Sequence, residues 1–276
     1  VYGGDEEGTL SFTDLELPHR FADGHIRFGT IEGVLATEHE SYRALRNATP
    51  ADLSAILSTT PASALFGAWD AHRKVRQLRL RSALVGEIIG VLADQEHDGK
   101  EQISHRGGAR IDPIAMGIKV GKVERKPSTD GLGGLPPTLD NDNLGGVSCS
   151  KVIRSWVLSF ATLRQLRFGS DNEKNIVGRA LLAALGLVSI SRAENELYLR
   201  ANCDLVEANY PLVTLDARYG HKRALNPITT GVADDILTEA ITEAKKLGVV
   251  DWNGQILKVS GNDDLKAAAY EEVKKK

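Results

Sequence analysis

The densest group of chemically active side chains in this sequence is a run of cations at residues 72–81, which reads HRKVRQLRLR. Five of its ten residues carry a formal positive charge and none is acidic, although the whole chain has a formal net charge of −3. Arginine predominates, and its planar guanidinium pairs with phosphate through two parallel hydrogen bonds. The run therefore predicts a phosphate-binding site, whose candidate residues are His72, Arg73, Lys74, Arg76, Arg79 and Arg81.

Two aromatic residues, Phe66 and Trp69, come directly before this run. Unpaired bases of a single strand stack on aromatic rings while the phosphates contact cations, so the combination favours a single-stranded nucleic acid. The mild negative charge of the chain does not exclude this partner, because the local distribution of cations governs binding. Taken alone, the run is equally typical of a solvated face or of ion pairs with some of the 37 acidic residues.

Smaller basic groups recur along the chain, and for each of them an ion pair or a solvated face is the simpler interpretation. We keep them as secondary candidates for contacts with phosphates. They are Arg43 and Arg46; Arg106 and Arg110 in HRGGAR; Lys119, Lys122, Arg125 and Lys126; and Arg164 and Arg167 in LRQLRFG.

The remaining motifs predict neither a catalytic site nor a metal site. The glycine cluster at 131–134 is followed by prolines rather than by a helix, and DNDNLG at 140–145 lacks the glutamate that closes a calcium loop. Glu38-His39-Glu40 is the densest possible metal site, but this pattern is more typical of a strand surface. No HExxH or GxSxG motif is present. We expect no cofactor, no metal and no enzymatic activity, with a Cys–His nucleophile distant in sequence left open. Two other functions stay open as alternatives: a cytosolic enzyme that binds a phosphate or another anion at residues 72–81, and an interaction scaffold whose basic run meets an acidic protein partner.

Composition limits the class of protein. The 276 residues are 42% hydrophobic and 26% charged, which is typical of a globular chain, and we expect one elaborated domain over residues 1–276. The most apolar stretch, Ala180 to Ile190, is too short to span a bilayer, so no membrane contact is expected. Cys149 and Cys203 form no CxxC pair and no charged and apolar leader opens the sequence, so we expect a cytoplasmic location.

The elements that must position the basic residues follow from the spacing of apolar and turn-forming residues. In the first half, the pattern predicts a strand with a bend over 25–36 and a short helix that is capped by Thr49, begins at Pro50 and ends before Pro61. It then predicts a packed helix over 82–93, a loop over 94–108, a strand after Pro113 and an exposed linker over 126–146. The segment 94–146 is expected to form an insertion.

In the second half, residues 151–168 fit a strand or a helix equally well. The pattern further predicts a buried helix over 173–190, a strand over 197–206, a helix capped by Asp234 or Asp235 and stopped by Gly248, a hairpin over 249–259 around Asn253-Gly254, and a short solvated helix at the C-terminal end. Interleaved helices and hairpins indicate an α+β fold, with an antiparallel sheet backed by helices.

Several of these segments resemble a known family. SALFGAWDAHR followed by LRLRSALVGEIIG resembles the signature of the RAMP-superfamily backbone subunit of type I-G (formerly I-U) CRISPR interference complexes, a Cas-seven-type subunit of Cascade. SKVIRSWVLSFATLRQLRFG, RALLAALGLVSI and LYLRANCDLV resemble later segments of that family in the same order. The similar segments run from about residue 60 to about residue 260, while the first sixty residues match poorly and Ala83 stands where the family has a glutamate.

The resemblance implies an RRM-like, ferredoxin-like core with thumb and web insertions, and no nuclease activity. Copies of the subunit would stack head to tail along a CRISPR RNA, together with a large subunit and a subunit that caps the guide end. Target DNA would be recognised by pairing with the guide, and a helicase-nuclease would be recruited. The turn that presents the basic run to guide phosphates would consist of Phe66, Gly67, Trp69 and Asp70. A second contact with the guide would come from Arg164 and Arg167. The thumb or web would include Arg106 and Arg110.

Overall fold

The computed structural model describes residues 13–17, 19–70, 77–92, 94–97, 100–103, 149–195 and 205–261. Its helices are α1 Gly24–Arg27, α2 Glu40–Asn47, α3 Ser54–Thr59, α4 Pro61–Phe66, α5 Phe160–Leu163, α6 Asn172–Asn195 and α7 Thr230–Lys246, with short 3-10 helices at Arg20–Ala22 and Arg218–Gly220. Its strands are β1 Thr30–Ile31, β2 Val34–Leu35, β3 Ala68–Asp70, β4 Leu78–Leu80, β5 Leu84–Leu92, β6 Asp94–His97, β7 Lys100–Ile103, β8 Cys149–Leu158, β9 Val213–Asp216 and β10 Lys222–Leu225.

This mixture of helices and small antiparallel sheets confirms the predicted α+β class. The described strands pair in twos, as β1–β2, β3–β4, β5–β8, β6–β7 and β9–β10. The chain divides into two compact units, one made of Val1–Val85, Trp156–Leu197 and Val206–Lys276, the other of Gly86–Ser155 and Tyr198–Leu205. The single-domain prediction and the RRM-like topology implied by the resemblance stay predictions.

Helix α6 is central to the core of the first unit and confirms the buried helix predicted over 173–190. It packs against α4, α5 and α7, and Leu181 and Leu182 are completely buried. Gly178 lets a neighbouring ring approach closely, because a Cβ atom there would lie 2.5 Å from the Phe168 side chain. By length and composition alone α6 could also cross a membrane, but the core helix of a globular protein meets the same criterion, and a third of its most apolar window is buried.

The helices before the basic run complete this core. Tyr42 of α2, Ile56 and Leu57 of α3, and Leu65 of α4 are all buried. The short helix predicted from Thr49 begins later, at Ser54, because Thr49 and Asp52 exchange backbone hydrogen bonds in a turn (2.9 and 3.0 Å). Its predicted end before Pro61 is confirmed, and that proline begins α4.

The helix predicted over 82–93 is wrong, since this segment forms strand β5. Glycines at 86 and 90 and several β-branched residues disfavour a helix, and pairing with β8 satisfies the backbone instead. The Ser150 hydroxyl donates to the Val91 carbonyl (3.2 Å) and the Ser155 hydroxyl to the Glu87 carboxylate (3.2 Å), so the two strands run in opposite directions. The spacing of the apolar residues is compatible with a helix, and the partner strand that decides against it lies about sixty residues away in the sequence.

The loop predicted over 94–108 is also wrong in its described part, because β6 and β7 pair as a hairpin. His97 lies opposite Lys100, so only Asp98 and Gly99 join the strands. Asp-Gly is a strong signal for a two-residue hairpin turn, and the sequence interpretation overlooked it. Residues 104–148, which include the rest of the predicted insertion, the strand after Pro113 and the linker at 126–146, lie outside the described residues.

The stretch 25–36, predicted as one bent strand, begins instead with α1 and continues as the short pair β1–β2. The turn between those strands, Glu32-Gly33, has positive φ at both residues (52° and 80°). The undecided stretch 151–168 contains both alternatives: β8 ends at Leu158, and the Ser159 hydroxyl then accepts from the Thr162 backbone N–H (3.2 Å) to cap α5.

Near the C-terminal end, α7 is confirmed, but its cap is Thr229 rather than Asp234 or Asp235. It stops before Gly248, whose φ of 61° is left-handed, as expected. The hairpin predicted over 249–259 is wrong, because these residues contain no strand. The next residue, Ser260, forms a single antiparallel bridge with Thr30 instead. The strand predicted over 197–206 lies largely outside the described residues, and the tail helix predicted over 263–276 lies entirely outside them.

Candidate nucleic-acid interface

The β3–β4 hairpin separates a buried face from an exposed one. Trp69 lies opposite Arg79, and Asp70 lies opposite Leu78. Because side chains alternate along a strand, Leu78, Leu80 and Asp70 are buried while Trp69 and Arg79 are exposed. The hairpin is therefore held by the core on one side and presents an aromatic ring and a cation on the other.

The exposed ring and the cation contact each other. The Arg79 guanidinium carbon lies 5.9 Å from the centre of the Trp69 ring, and Trp69 remains 48% exposed. A guanidinium over an indole face is attracted to the ring, and the pair forms a flat, positively charged surface. Neither Arg79 nor Arg81, which is also exposed, forms an ion pair with a carboxylate in the part of the chain that the structure describes. Their charge is available to an external anion.

A single glycine orients this hairpin. Gly67 joins α4 to β3 with φ 85° and ψ 153°, a region that only glycine occupies readily. A Cβ atom there would lie 3.0 Å from both the Leu80 carbonyl oxygen and the Ser82 nitrogen. The sequence FGAWD at residues 66–70 thus has a physical basis: the glycine lets the chain turn so that Trp69 faces outward and Asp70 inward. Phe66 is partly buried and packs against the core, so Trp69 is the more accessible ring.

The first part of the basic run falls in the connection of this hairpin. Since Asp70 pairs with Leu78, residues 71–77 link the two strands. His72, Arg73, Lys74 and Arg76 lie outside the described residues, and their role in phosphate binding stays a prediction. The predicted contacts Arg106 and Arg110 lie outside the described residues as well.

A second cationic group surrounds the segment between α5 and α6. Arg164 and Arg167 are exposed, and the Arg167 carbonyl accepts from the Leu53 backbone N–H (2.8 Å). Arg179 of α6 donates from Nε to the Leu166 carbonyl (2.8 Å). Burial, and then the nearby charge of Arg167, lower the pKa of the Arg179 guanidinium. Sequence reasoning missed Arg179, whose signal was a lone cation in a long apolar stretch.

The remaining predicted cations lie on α2, where Arg43 is exposed and Arg46 is half-buried. The neighbouring His39, predicted on a strand surface, instead caps this helix, because its Nδ1 accepts from the Ser41 backbone N–H (3.3 Å). Its Nε2 lies 3.8 Å from a Glu32 carboxylate oxygen. Within the described ranges, no group of His, Cys, Asp and Glu side chains could hold a metal ion.

An open cleft of about 310 Å³ lies at the beginning of α6, lined by Ser54, the loop residues 168–171, Lys174, Gly248 and Val249. The Asp171 carboxylate accepts from the backbone N–H groups of Glu173 (2.8 Å) and Lys174 (3.3 Å). Because the protein's own carboxylate occupies these donors, the cleft does not offer them to an external anion.

Comparison with known proteins bears on the part of the chain that contains the β3–β4 hairpin. Residues 6–95 match the family model described as CRISPR-associated protein GSU0053 (Cas_GSU0053). This part of the chain is therefore similar to a CRISPR-associated family, and the similarity supports a role in CRISPR defence. It covers about a third of the chain and includes most of the N-terminal sixty residues that the resemblance had left out. No curated protein and no solved structure gives a significant match.

Proposed function

We propose that this protein is a non-catalytic, RNA-binding backbone subunit of a type I-G CRISPR Cascade effector. The observation that carries the proposal is the exposed Trp69–Arg79 pair on the β3–β4 hairpin, next to a basic connection and inside the segment similar to a CRISPR-associated family. Cations without carboxylate partners bind phosphates, and an exposed indole accepts any base by stacking. Such a surface holds a strand without reading its sequence, as a carrier of variable guides requires.

The same proposal includes the partners of the subunit. Copies of the chain stack head to tail along the CRISPR RNA, because a heterologous contact that does not close generates a filament. A large subunit and a subunit that caps the guide end complete the cytoplasmic complex. Target DNA is engaged through base pairing with the guide rather than through side chains that read bases, and a helicase-nuclease performs cleavage. The RAMP assignment, the RRM-like core and the absence of enzymatic activity belong to this proposal.

The first test is the ratio of absorbance at 260 and 280 nm for the native, purified protein. We expect bound RNA in the wild type and its loss when Arg73, Lys74, Arg76, Arg79 and Arg81 are all replaced by glutamate. Reversal of Lys274, Lys275 and Lys276 serves as the control and should leave the ratio unchanged. Protein without RNA, together with binding that does not depend on salt, would contradict the proposal.

A smaller pair of variants isolates the described cations. R79Q/R81Q removes two exposed charges from β4 and its end, while K245Q/K246Q removes two exposed charges from the end of α7. For a single strand the slope of log K against log salt falls by about 0.7 for each phosphate that the protein no longer binds. We expect a shallower slope and weaker RNA binding for R79Q/R81Q, and wild-type behaviour for K245Q/K246Q. If the two double variants weaken RNA binding equally, binding depends on the overall charge of the protein and the β3–β4 hairpin is not the binding site.

A further inference from the structure

The β9–β10 hairpin has an aromatic and basic tip that lies outside all of the RNA-binding residues predicted above. Residues 217–221 of its connection read ARYGH, and the chain continues into Lys222 and Arg223. Every side chain of β10 is exposed, and Tyr219 is 89% exposed. The tip is thus fully accessible to a ligand.

The backbone at the tip is unusual for a residue of this size. Tyr219 has φ 60° and ψ 28°, Gly220 has φ 77°, and the His221 backbone N–H donates to the Arg218 carbonyl (3.4 Å). Two successive left-handed residues define a type I′ turn, which favours glycine, asparagine and aspartate at both positions. A bulky aromatic residue is disfavoured there. Its presence at an exposed tip indicates a role other than forming the turn.

Two of the three cations at this tip are not neutralised by a carboxylate of the described residues. The Arg218 guanidinium carbon lies 5.5 Å from the centre of the Tyr219 ring. Lys222 pairs with Asp216, its neighbour across the hairpin (3.1 Å), whereas Arg223 is exposed and forms no ion pair with any described carboxylate. Since side chains alternate along a strand, Arg223 and the Lys222–Asp216 pair lie on opposite faces. Two arginines are therefore left to contact an anion.

We propose that the tip of the β9–β10 hairpin binds a single-stranded nucleic acid, with one unpaired base stacked on Tyr219 and phosphates held by Arg218 and Arg223. An exposed ring with adjacent guanidinium groups provides both of the contacts that a single strand makes with proteins, and stacking on it tolerates any base. An acidic protein partner would use the arginines but would not account for an aromatic ring at a left-handed position. This proposal rests on the proposed function in one respect: the single-stranded nucleic acid is one that the proposed CRISPR complex carries.

Tyr219→Asn is the sharpest variant, because asparagine is favoured in the left-handed region and keeps the turn while removing the ring. R218Q/R223Q removes the two free charges. The control D216N/K222Q removes the ion pair from the same hairpin without changing its net charge. Full-length proteins are stripped of bound nucleic acid at high salt and titrated with fluorescein-labelled U15 RNA and dT15 DNA by fluorescence anisotropy.

We expect Tyr219→Asn to raise Kd about tenfold with an unchanged salt slope, as loss of one stacked base should do. R218Q/R223Q should raise Kd and lower the slope by about 0.7 for each phosphate that the variant leaves unbound, and the control should match the wild type. A loss of affinity confined to U15 identifies the strand as RNA, one confined to dT15 identifies it as DNA, and a loss on both identifies any unpaired strand.

If the Tyr219→Asn variant binds both oligonucleotides with the Kd of the wild type, this proposal is overturned. The same holds if R218Q/R223Q binds weakly while Tyr219→Asn does not. The proposed function would still stand if R79Q/R81Q weakens RNA binding in the same assay. If the wild type binds neither oligonucleotide, both proposals fail.

Discussion

Two hairpins of this protein each carry an exposed aromatic ring with an arginine beside it, but in opposite settings. On β3–β4 the ring is Trp69 and its cation is Arg79, and the other face of the hairpin is buried in the core. On β9–β10 the ring is Tyr219 and its cation is Arg218, and the side chains of β10 are exposed. The distances from guanidinium to ring are similar, 5.9 and 5.5 Å.

The difference shows how burial separates structural from binding roles. In β3–β4 the neighbours of the exposed Arg79, Leu78 and Leu80, are apolar and buried, so this hairpin contributes to the stability of the first unit as well as presenting Trp69. In β9–β10 the side chains of β10 are solvated, so most substitutions should affect binding while leaving the free energy of unfolding nearly constant. Comparing equivalent substitutions in the two hairpins tests this division.

The largest difference should come from leucine. Leu78→Ala removes a side chain that is only 2% exposed and should lower the free energy of unfolding by about 2–5 kcal/mol. Leu225→Ala removes one that is 37% exposed and should cost about 0.5 kcal/mol. Urea denaturation followed by circular dichroism measures both, and similar losses of stability for the two variants would contradict the division.

Glycine provides the next comparison. Gly67→Ala places a Cβ atom 3.0 Å from two backbone atoms at a φ of 85° and should destabilise the protein by about 3 kcal/mol. Gly220→Ala has a comparable φ of 77° but no atom within 4 Å, so only the backbone preference is lost, about 1 kcal/mol. The same denaturation assay applies, and a Gly220 variant as unstable as the Gly67 variant would show that the β9–β10 hairpin is packed in solution.

The smallest effect concerns the ion pair of the β9–β10 hairpin. A hydrogen bond from the Thr214 hydroxyl (2.8 Å) and one from the Lys222 ammonium lower the pKa of Asp216 below its ordinary value of 3.8. The ionised carboxylate therefore stabilises the hairpin above the ordinary carboxyl range, and this contribution is lost as the pH falls through the lowered pKa. Thr214→Val and Lys222→Gln should each raise the pKa, as NMR of the carboxyl carbon can measure. An unchanged pKa in both variants would mean that the hairpin side chains are not held in this arrangement.

The elements predicted well from sequence are those whose information is local. Helices α6 and α7 have long apolar stripes, and a left-handed Gly248 ends the second one as its position in the sequence indicated. Strand β5 was mistaken for a helix because an apolar run has the same composition in either element, and only its pairing with β8 distinguishes them. The hairpin predicted around Gly254 failed for the converse reason: a good turn dipeptide does not make strands without residues to pair with.

The candidate site divides in the same way. The cations and Trp69 could be chosen from sequence, because a run of five cations in ten residues directly after aromatic residues is visible without any knowledge of the fold. Arg179 could not, since its proximity to Arg167 depends on how α6 packs. The tip at Tyr219 could not either, because its signal is a backbone angle rather than a residue pattern.

By itself, the sequence determined the chemistry of this protein: where arginines gather, which glycines turn the chain, and which segments are apolar enough to form a core. Tertiary structure alone decided which of those groups face solvent, because exposure depends on partners far away along the chain. Packing buries Leu78 and leaves Arg79 outside, and strand pairing places Arg223 and Lys222 on opposite faces. The physical reason is that a side chain's type is a local property, whereas its desolvation is a property of the whole fold.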